Sequence, residues 1–133
     1  LFLVTLTSLT IISTHLTLYR CLAAAEELAS EGIDCEVIDP VSLLPLDTET
    51  IYESVNKTKK ALIAHEDTFT GGWGAEVAAL ISQNCFYDLK APVQRIAAYD
   101  VPLPVTPVLE QSVVPSVERI KEKIRQLHKM GKS

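Results

Sequence analysis

The sequence predicts an α/β domain: a mostly parallel sheet covered by helices on both faces, giving a three-layer α/β/α arrangement. Three observations predict it. Short runs rich in apolar and β-branched residues alternate along the chain with segments of helical periodicity. The junctions between them are short and carry capping and turn residues. The helical segments run to roughly ten to sixteen residues, the length of a crossover that returns the chain parallel to its previous strand.

The elements follow in order. Leu9 to Thr14 is dense in Thr, Ile and Leu, and reads as a strand buried on both faces. From about Leu16 to Glu31, Leu18, Leu22, Ala25 and Leu28 recur at helical spacing with Arg20, Glu26, Glu27 and Glu31 among the polar positions, and Gly32 supplies a stop. Cys35 to Asp39 is a short strand closed by Pro40. Asp47 is placed to cap a helix running through Ile51 and Val55 to about Lys57. "ALIAHE", from Ala61 to Glu66, is a strand, apolar until its C-terminal end. Beyond a glycine loop, Val77, Leu80, Ile81 and Cys85 mark the buried stripe of another helix. "VQRIAAYD" is a further strand, "VPLPVTP" a proline-rich connection, and Val117, Ile120, Ile124 and Leu127 line a final helix.

Size and composition limit the functional classes. With 133 residues the chain is one domain, 1–133, large enough to bury roughly two-thirds of its unfolded surface. It begins with Leu, so it is expected to be a piece of a longer or processed polypeptide. A net charge of -5 argues against a nucleic-acid partner, whose phosphates demand clustered Lys and Arg, and suits a basic protein partner better. Cys21, Cys35 and Cys85 are odd in number and form no CxxC pair, which indicates neither a disulfide framework nor a zinc site. The uncharged first nineteen residues contain eight Thr, Ser or His, with no basic segment before them, so no membrane role is expected.

One stretch, "HEDTFTGGWGAE" from His65 to Glu76, ends a strand and opens a helix, where open α/β sheets bind ligands. A dinucleotide fingerprint fails because Val77 stands where the third small residue should be, and a phosphate loop fails for want of a lysine. His65, Glu66 and Asp67 are consecutive, so their side chains alternate between sheet faces and cannot converge on one metal. His15, at the end of the first strand, is placed to share the same edge with His65, whereas His128 belongs to the solvent face or end of the last helix. No Gly-x-Ser-x-Gly elbow supplies a nucleophile. The stretch therefore reads as a structural connection. One of Gly71 and Gly72 adopts positive φ, Phe69 and Trp73 cover the sheet edge, and His65 and Glu66 satisfy loop amides or meet a neighbouring subunit.

The run from "CEVIDPVSLLPLD" through "HEDTFTGGWGAEVAA" to "LKAPVQRIAAYDVPLP" and "PSVERI" resembles the C-terminal domain of the beta subunit of thiamine-diphosphate-dependent 2-oxo acid dehydrogenases. Transketolase shares that domain more distantly. Its signature positions are Val37-Ile38-Asp39, Pro45-Leu46-Asp47, His65 with Glu66, Gly71 and Gly72 with Glu76, and Asp100 with Pro102 and Pro104. The resemblance implies a transketolase C-terminal-domain-like fold with a mixed, mostly parallel five-stranded sheet in which one early strand opposes the rest. Leu1 to Thr7 is what would remain of that strand.

The resemblance also implies an accessory, assembly-forming domain without catalytic, cofactor-binding or metal-binding residues of its own. In the family, the diphosphate of thiamine diphosphate and its magnesium are held by a Gly-Asp-Gly motif on the alpha subunit, and the pyrimidine ring is met by an earlier domain of the beta chain. The implied partners are the alpha subunit, a second beta subunit and the subunit-binding domain of the acyltransferase component. Self-association is expected for the isolated chain. The implied location is the cytoplasm in a bacterium or archaeon and the mitochondrial matrix in a eukaryote. Two departures bear on docking and the first loop: "STH" lacks the glycine many relatives have there, and "HKMGKS" adds basic residues near the C-terminus. The alternatives are the matching domain of a transketolase or deoxyxylulose-phosphate synthase, or a free-standing ligand-binding regulatory domain.

Overall fold

A computed structural model describes residues 8–100 and 113–131. Its elements are β1 (Leu9–Ser13), α1 (His15–Ala29), β2 (Cys35–Ile38), α2 (Thr48–Thr58), β3 (Ala61–Thr68), α3 (Trp73–Asn84), a single 3-10 turn (Phe86–Asp88), β4 (Gln94–Ala98) and α4 (Val117–Lys129). The four strands form one sheet in the order β2-β1-β3-β4, and every pairing is parallel. The expected α/β class holds, with four strands among the described residues rather than five. The strand expected to oppose the rest falls on Leu1 to Thr7, outside them.

Alternation along the buried strands sorts the core into two halves. Leu9, Ile11, Leu62, Ala64 and Ile96 pack under α1 and α4, with Leu28, Ile120, Ile124 and Leu127. Ile12, Ile38, Ala61 and Ile63 pack under α2 and α3, with Ile51, Val55, Val77 and Ile81. Full burial of each such side chain is worth about 1.5–3 kcal/mol. Thr10, in the centre of the sheet, keeps its hydroxyl satisfied at 2.7 Å from both Ser54 Oγ and Thr58 Oγ1 of α2. On the edge strand β2, buried Glu36 is met by Lys57 Nζ at 2.6 Å.

Capping follows the sequence in α2, where Asp47 accepts from the Thr50 amide at 3.2 Å. In α4 Ser116 accepts from the Arg119 amide at 3.1 Å. The buried stripe of α1 departs from expectation: it is Thr17, Cys21, Ala24 and Leu28, while Leu18 and Ala25 flank it and Leu22 is 40% exposed. The reason is close approach. Smaller side chains fit between helix and sheet over the first turns, and Leu18 and Leu22 are displaced to the flanks, while Leu28 is buried as expected.

The order β2-β1-β3-β4 fixes where the connections part. From β1 the chain leaves through α1 on one face, and from β3 through α3 on the other. A crevice opens between those two strand ends, the position where sheets of this kind accept ligands.

Candidate functional site

The crevice is lined by Thr14, His15, Glu66, Asp67 and Trp73 and has a volume of about 200 Å³. Its floor is shaped by an irregularity in β3. Ala64 pairs with Ile96 and Thr68 with Ala98, so the step from 64 to 68 on β3 matches only 96 to 98 on β4. Extra residues of this kind bend a strand and re-aim its side chains. The displaced residues are His65, Glu66 and Asp67, the acid and base of the motif.

Glu66 turns to the α1 face. Its Oε1 accepts from the Thr17 amide at 3.1 Å. Thr14, the residue before α1, makes no side-chain cap bond, so a carboxylate from β3 satisfies one of the free amides at this helix start. Negative charge at a helix N-terminus is also favoured by the helix dipole. His15 opens α1 with φ at 55°, a left-handed conformation uncommon outside glycine, and its side chain is exposed.

His65 turns the other way and is 1% exposed. Its Nδ1 lies 3.2 Å from the Asp67 carbonyl oxygen. That oxygen can only accept, so Nδ1 carries the proton and Nε2 is left as a bare acceptor, buried without a hydrogen-bond partner. Burial pushes the imidazole below its ordinary pKa, and the bond to Asp67 only partly opposes this. The ring is held neutral. Trp73 covers it with ring centroids 4.9 Å apart.

The glycines make room for this ring. A Cβ on Gly72 would stand 2.3 Å from the Thr68 carbonyl oxygen and 2.7 Å from His65 Cε1. On Gly74 it would stand 2.2 Å from His65 Nε2 and 2.5 Å from Cδ2. Gly71 has φ at 78° with open space around it, as expected for one member of the pair. The requirements are therefore separate: Gly71 serves the backbone, Gly72 and Gly74 serve the packed histidine.

Asp100 accepts from the Thr70 amide at 2.9 Å and from the Thr70 hydroxyl, and these bonds hold its carboxyl below the usual range. Arg95 lies 3.9 Å over the Phe69 ring and donates to the Phe69 carbonyl at 2.7 Å. The β3–α3 loop is thus tied to β4 on both sides. Glu76 sits exposed in the first turn of α3, and Pro102 lies outside the described residues.

Of the expected site residues, Glu66, expected to satisfy loop amides or meet a neighbouring subunit, accepts from the Thr17 amide in the first turn of α1. His65 meets neither expectation: it bonds a carbonyl and is too buried to reach a neighbouring subunit, because α3 closes over it. His15 and His65 do not meet in the crevice, since only His15 lines it. His128 is half-buried at the end of α4, where its carbonyl accepts from Lys60 Nζ at 2.8 Å. Sequence reasoning missed Gly74, whose signal was a third glycine inside a helix start, and Arg95, whose signal was a lone cation on a strand.

Chemically the crevice is a poor cradle for a diphosphate. Two carboxylates face it, and the Thr17 amide is already engaged by Glu66. Thiamine diphosphate does not fit these residues. Among the described residues, no cluster of three or more His, Cys, Asp or Glu is placed to hold a metal ion. No described helix is long and apolar enough to cross a membrane.

The family described as "Transketolase, C-terminal domain" matches residues 3–120. The chain is 46% identical over 98 residues to 2-oxoisovalerate dehydrogenase subunit beta, mitochondrial, of Dictyostelium discoideum, covering 72% of this chain and 26% of that protein. It is 38% identical over 120 residues to 2-oxoisovalerate dehydrogenase subunit beta of Bacillus subtilis, and 38% over 120 residues to pyruvate dehydrogenase E1 component subunit beta of Rickettsia felis, covering in each case 90% of this chain and 37% of the relative. The chain therefore spans between a quarter and two-fifths of the length of these relatives. A solved structure titled "Split gene transketolase, inactive beta4 tetramer" superposes with a TM-score of 0.78 at 26% identity, over 95% of this chain and 41% of that one.

Proposed function

The chain belongs to the transketolase C-terminal domain family, and from that membership we propose that it is the assembly-forming C-terminal domain of a 2-oxo acid dehydrogenase beta subunit. The observation that carries the reading is the 46% identity to a subunit of that name, across a stretch that includes the whole motif. The site supports it from the other side. Glu66 and Asp100 engage main-chain amides, and His65 is sealed beneath α3.

On this reading the parent enzyme acts on pyruvate or a branched-chain 2-oxo acid. Thiamine diphosphate and magnesium belong to its alpha subunit and to the earlier part of the beta chain. This domain supplies contacts to the alpha subunit, to a second beta subunit and to the acyltransferase component. Its location is the mitochondrial matrix in a eukaryote, in keeping with the name of the Dictyostelium relative, and the cytoplasm in a bacterium. The structural neighbour's title favours a transketolase instead. Its 26% identity weighs less than the 38–46% to dehydrogenase subunits.

The test is co-purification. Expressed with a dehydrogenase alpha subunit and the upstream beta domain as a separate polypeptide, this chain is expected to enter a stable complex and be required for turnover. Titrated alone with thiamine diphosphate in a calorimeter, it is expected to give no binding heat. Failure to enter the complex, or micromolar cofactor binding by the chain alone, overturns the reading.

A further inference from the structure

Among the described strands β4 is an edge of the sheet, and a groove of about 490 Å³ follows it. Its floor is the buried run Ile96, Ala97 and Ala98. Its walls come from the two faces of the domain. Arg95, 3.9 Å over the Phe69 ring, stands on the α3 side, where it also borders Ala75 and Ala78. Arg119, 4.4 Å over the Tyr99 ring, stands on the opposite side with Lys123 one turn further along α4.

The cations of this groove have no carboxylate of their own. The ion pairs among the described residues use Lys57, Lys59, Lys121 and Arg125, and none of Arg95, Arg119 and Lys123. Carbonyl oxygens hold the two arginines instead: Arg95 Nη1 donates to Phe69 at 2.7 Å, and Arg119 Nη2 donates to Ala97 at 3.1 Å. A guanidinium carries five N–H groups, so donors remain on both. The two acids that line the groove are engaged elsewhere, Asp100 with the amide and hydroxyl of Thr70, and Glu122 at 3.9 Å from Arg125. A chain whose net charge is -5 therefore presents one locally cationic edge.

We infer that this edge docks an extended acidic segment of a partner protein, with two adjacent carboxylate side chains reaching Arg95 on one wall and Arg119 and Lys123 on the other. Charge complementarity selects the occupant, and the placement of the cations selects its conformation. Successive side chains of an extended chain point to opposite sides, which matches cations on opposite walls. A guanidinium resting on an aromatic ring is oriented and partly desolvated, and its planar fork suits a carboxylate. Strand addition is not the source of attraction. Arg119 already occupies the Ala97 carbonyl, and the Tyr99 amide donates to the Val113 carbonyl at 3.2 Å, so this part of the edge is closed to a new ladder. Negative charge elsewhere on the chain is screened beyond about 8 Å at physiological salt, so the three nearby cations dominate at contact. The inference goes beyond the assembly reading above and does not depend on it.

The experiment is fluorescence anisotropy of the 133-residue chain with a labelled short peptide in which two adjacent glutamates stand among serines and threonines. An isomer with one serine between the glutamates directs both to the same wall. The adjacent-pair peptide is expected to bind saturably below about 1 mM, and the isomer more weakly. Arg95→Gln and Lys123→Gln are each expected to weaken binding roughly fivefold, the upper range for an exposed ion pair. Lys90→Gln, at an exposed cation outside the groove, should leave it unchanged. Circular dichroism checks folding; if Arg95→Gln is unfolded, Lys123→Gln decides. No saturation up to about 1 mM, or binding that ignores the groove variants, overturns the inference. So does equal binding of the isomer, or displacement of the peptide by an equal concentration of inorganic sulfate, which would mark a site for small anions. A chain that fails here yet joins the alpha subunit leaves the assembly reading standing.

Discussion

Adding one methyl group at Gly74 pits two opposing effects against each other, and the structure decides which prevails. Alanine is favoured over glycine inside a helix by about 0.8–1 kcal/mol, so Gly74→Ala on α3 would ordinarily stabilise. Here the new Cβ would fall 2.2 Å from His65 Nε2, 2.5 Å from Cδ2 and 3.2 Å from Ile63 Cγ2. The ring is a poor candidate to yield, being 1% exposed, bonded to the Asp67 carbonyl and covered by Trp73. Forcing it aside costs typically about 1–3 kcal/mol, which exceeds the propensity gain in most of that range. Gly74→Ala is therefore expected to destabilise by up to about 2 kcal/mol, lowering Tm by up to roughly 8 °C. A double-mutant cycle with His65→Ala isolates the cause. The methyl group should cost much less once the ring is gone, giving a coupling of about 1 kcal/mol or more. Urea denaturation of the four proteins measures it. A stabilised Gly74→Ala, or additivity in the cycle, refutes the reasoning.

Three further outcomes follow from the same contacts. Because burial first of all depresses the His65 pKa, the unfolded chain binds a proton before the folded one does, so stability is fully present above the ordinary histidine pKa near 6.5 and is lost as pH falls below it; urea midpoints should decline between pH 7 and 5.5, and less steeply in His65→Gln. Replacing Glu66 by alanine removes the only side-chain cap at the start of α1 among the described contacts and should cost about 0.5–2 kcal/mol; the check is the urea midpoint together with faster amide exchange at Thr17, and Glu66→Gln, which keeps an acceptor oxygen, should lose less. Burial pushes the Cys21 and Cys35 thiols up to about 12 and raises Cys85 as well, so a thiol reagent at pH 8 should find almost no reactive cysteine in the native chain and all three in urea.

The fold was legible because the strands declare themselves through composition and the helices through the spacing of their apolar residues. Asp47 and Gly71 do what their residue types dictate at those positions. The α1 stripe was misplaced by one residue because leucine outweighs threonine and cysteine in any periodicity, whereas packing against a sheet rewards side chains that let the helix approach. The functional motif was harder. That Glu66 reaches the Thr17 amide depends on β1 and β3 being neighbours, a fact of topology that no local pattern carries. His65 and Gly74 are nine positions apart, and only the turn of the chain onto α3 brings ring and glycine together. Pro102 and the expected opposing strand at Leu1 to Thr7 fall outside the described residues.

The central claim is that "HEDTFTGGWGAE" serves structure and assembly, and that its acid and base take no part in chemistry. One measurement tests it most directly: turnover per assembled enzyme for His65→Gln in the complete 2-oxo acid dehydrogenase. With a neutral ring sealed under α3, the variant that folds and assembles should retain turnover within about tenfold of the parent. A variant that folds and assembles normally but loses turnover by about a thousandfold, the loss typical of removing a general acid or base, would contradict the account.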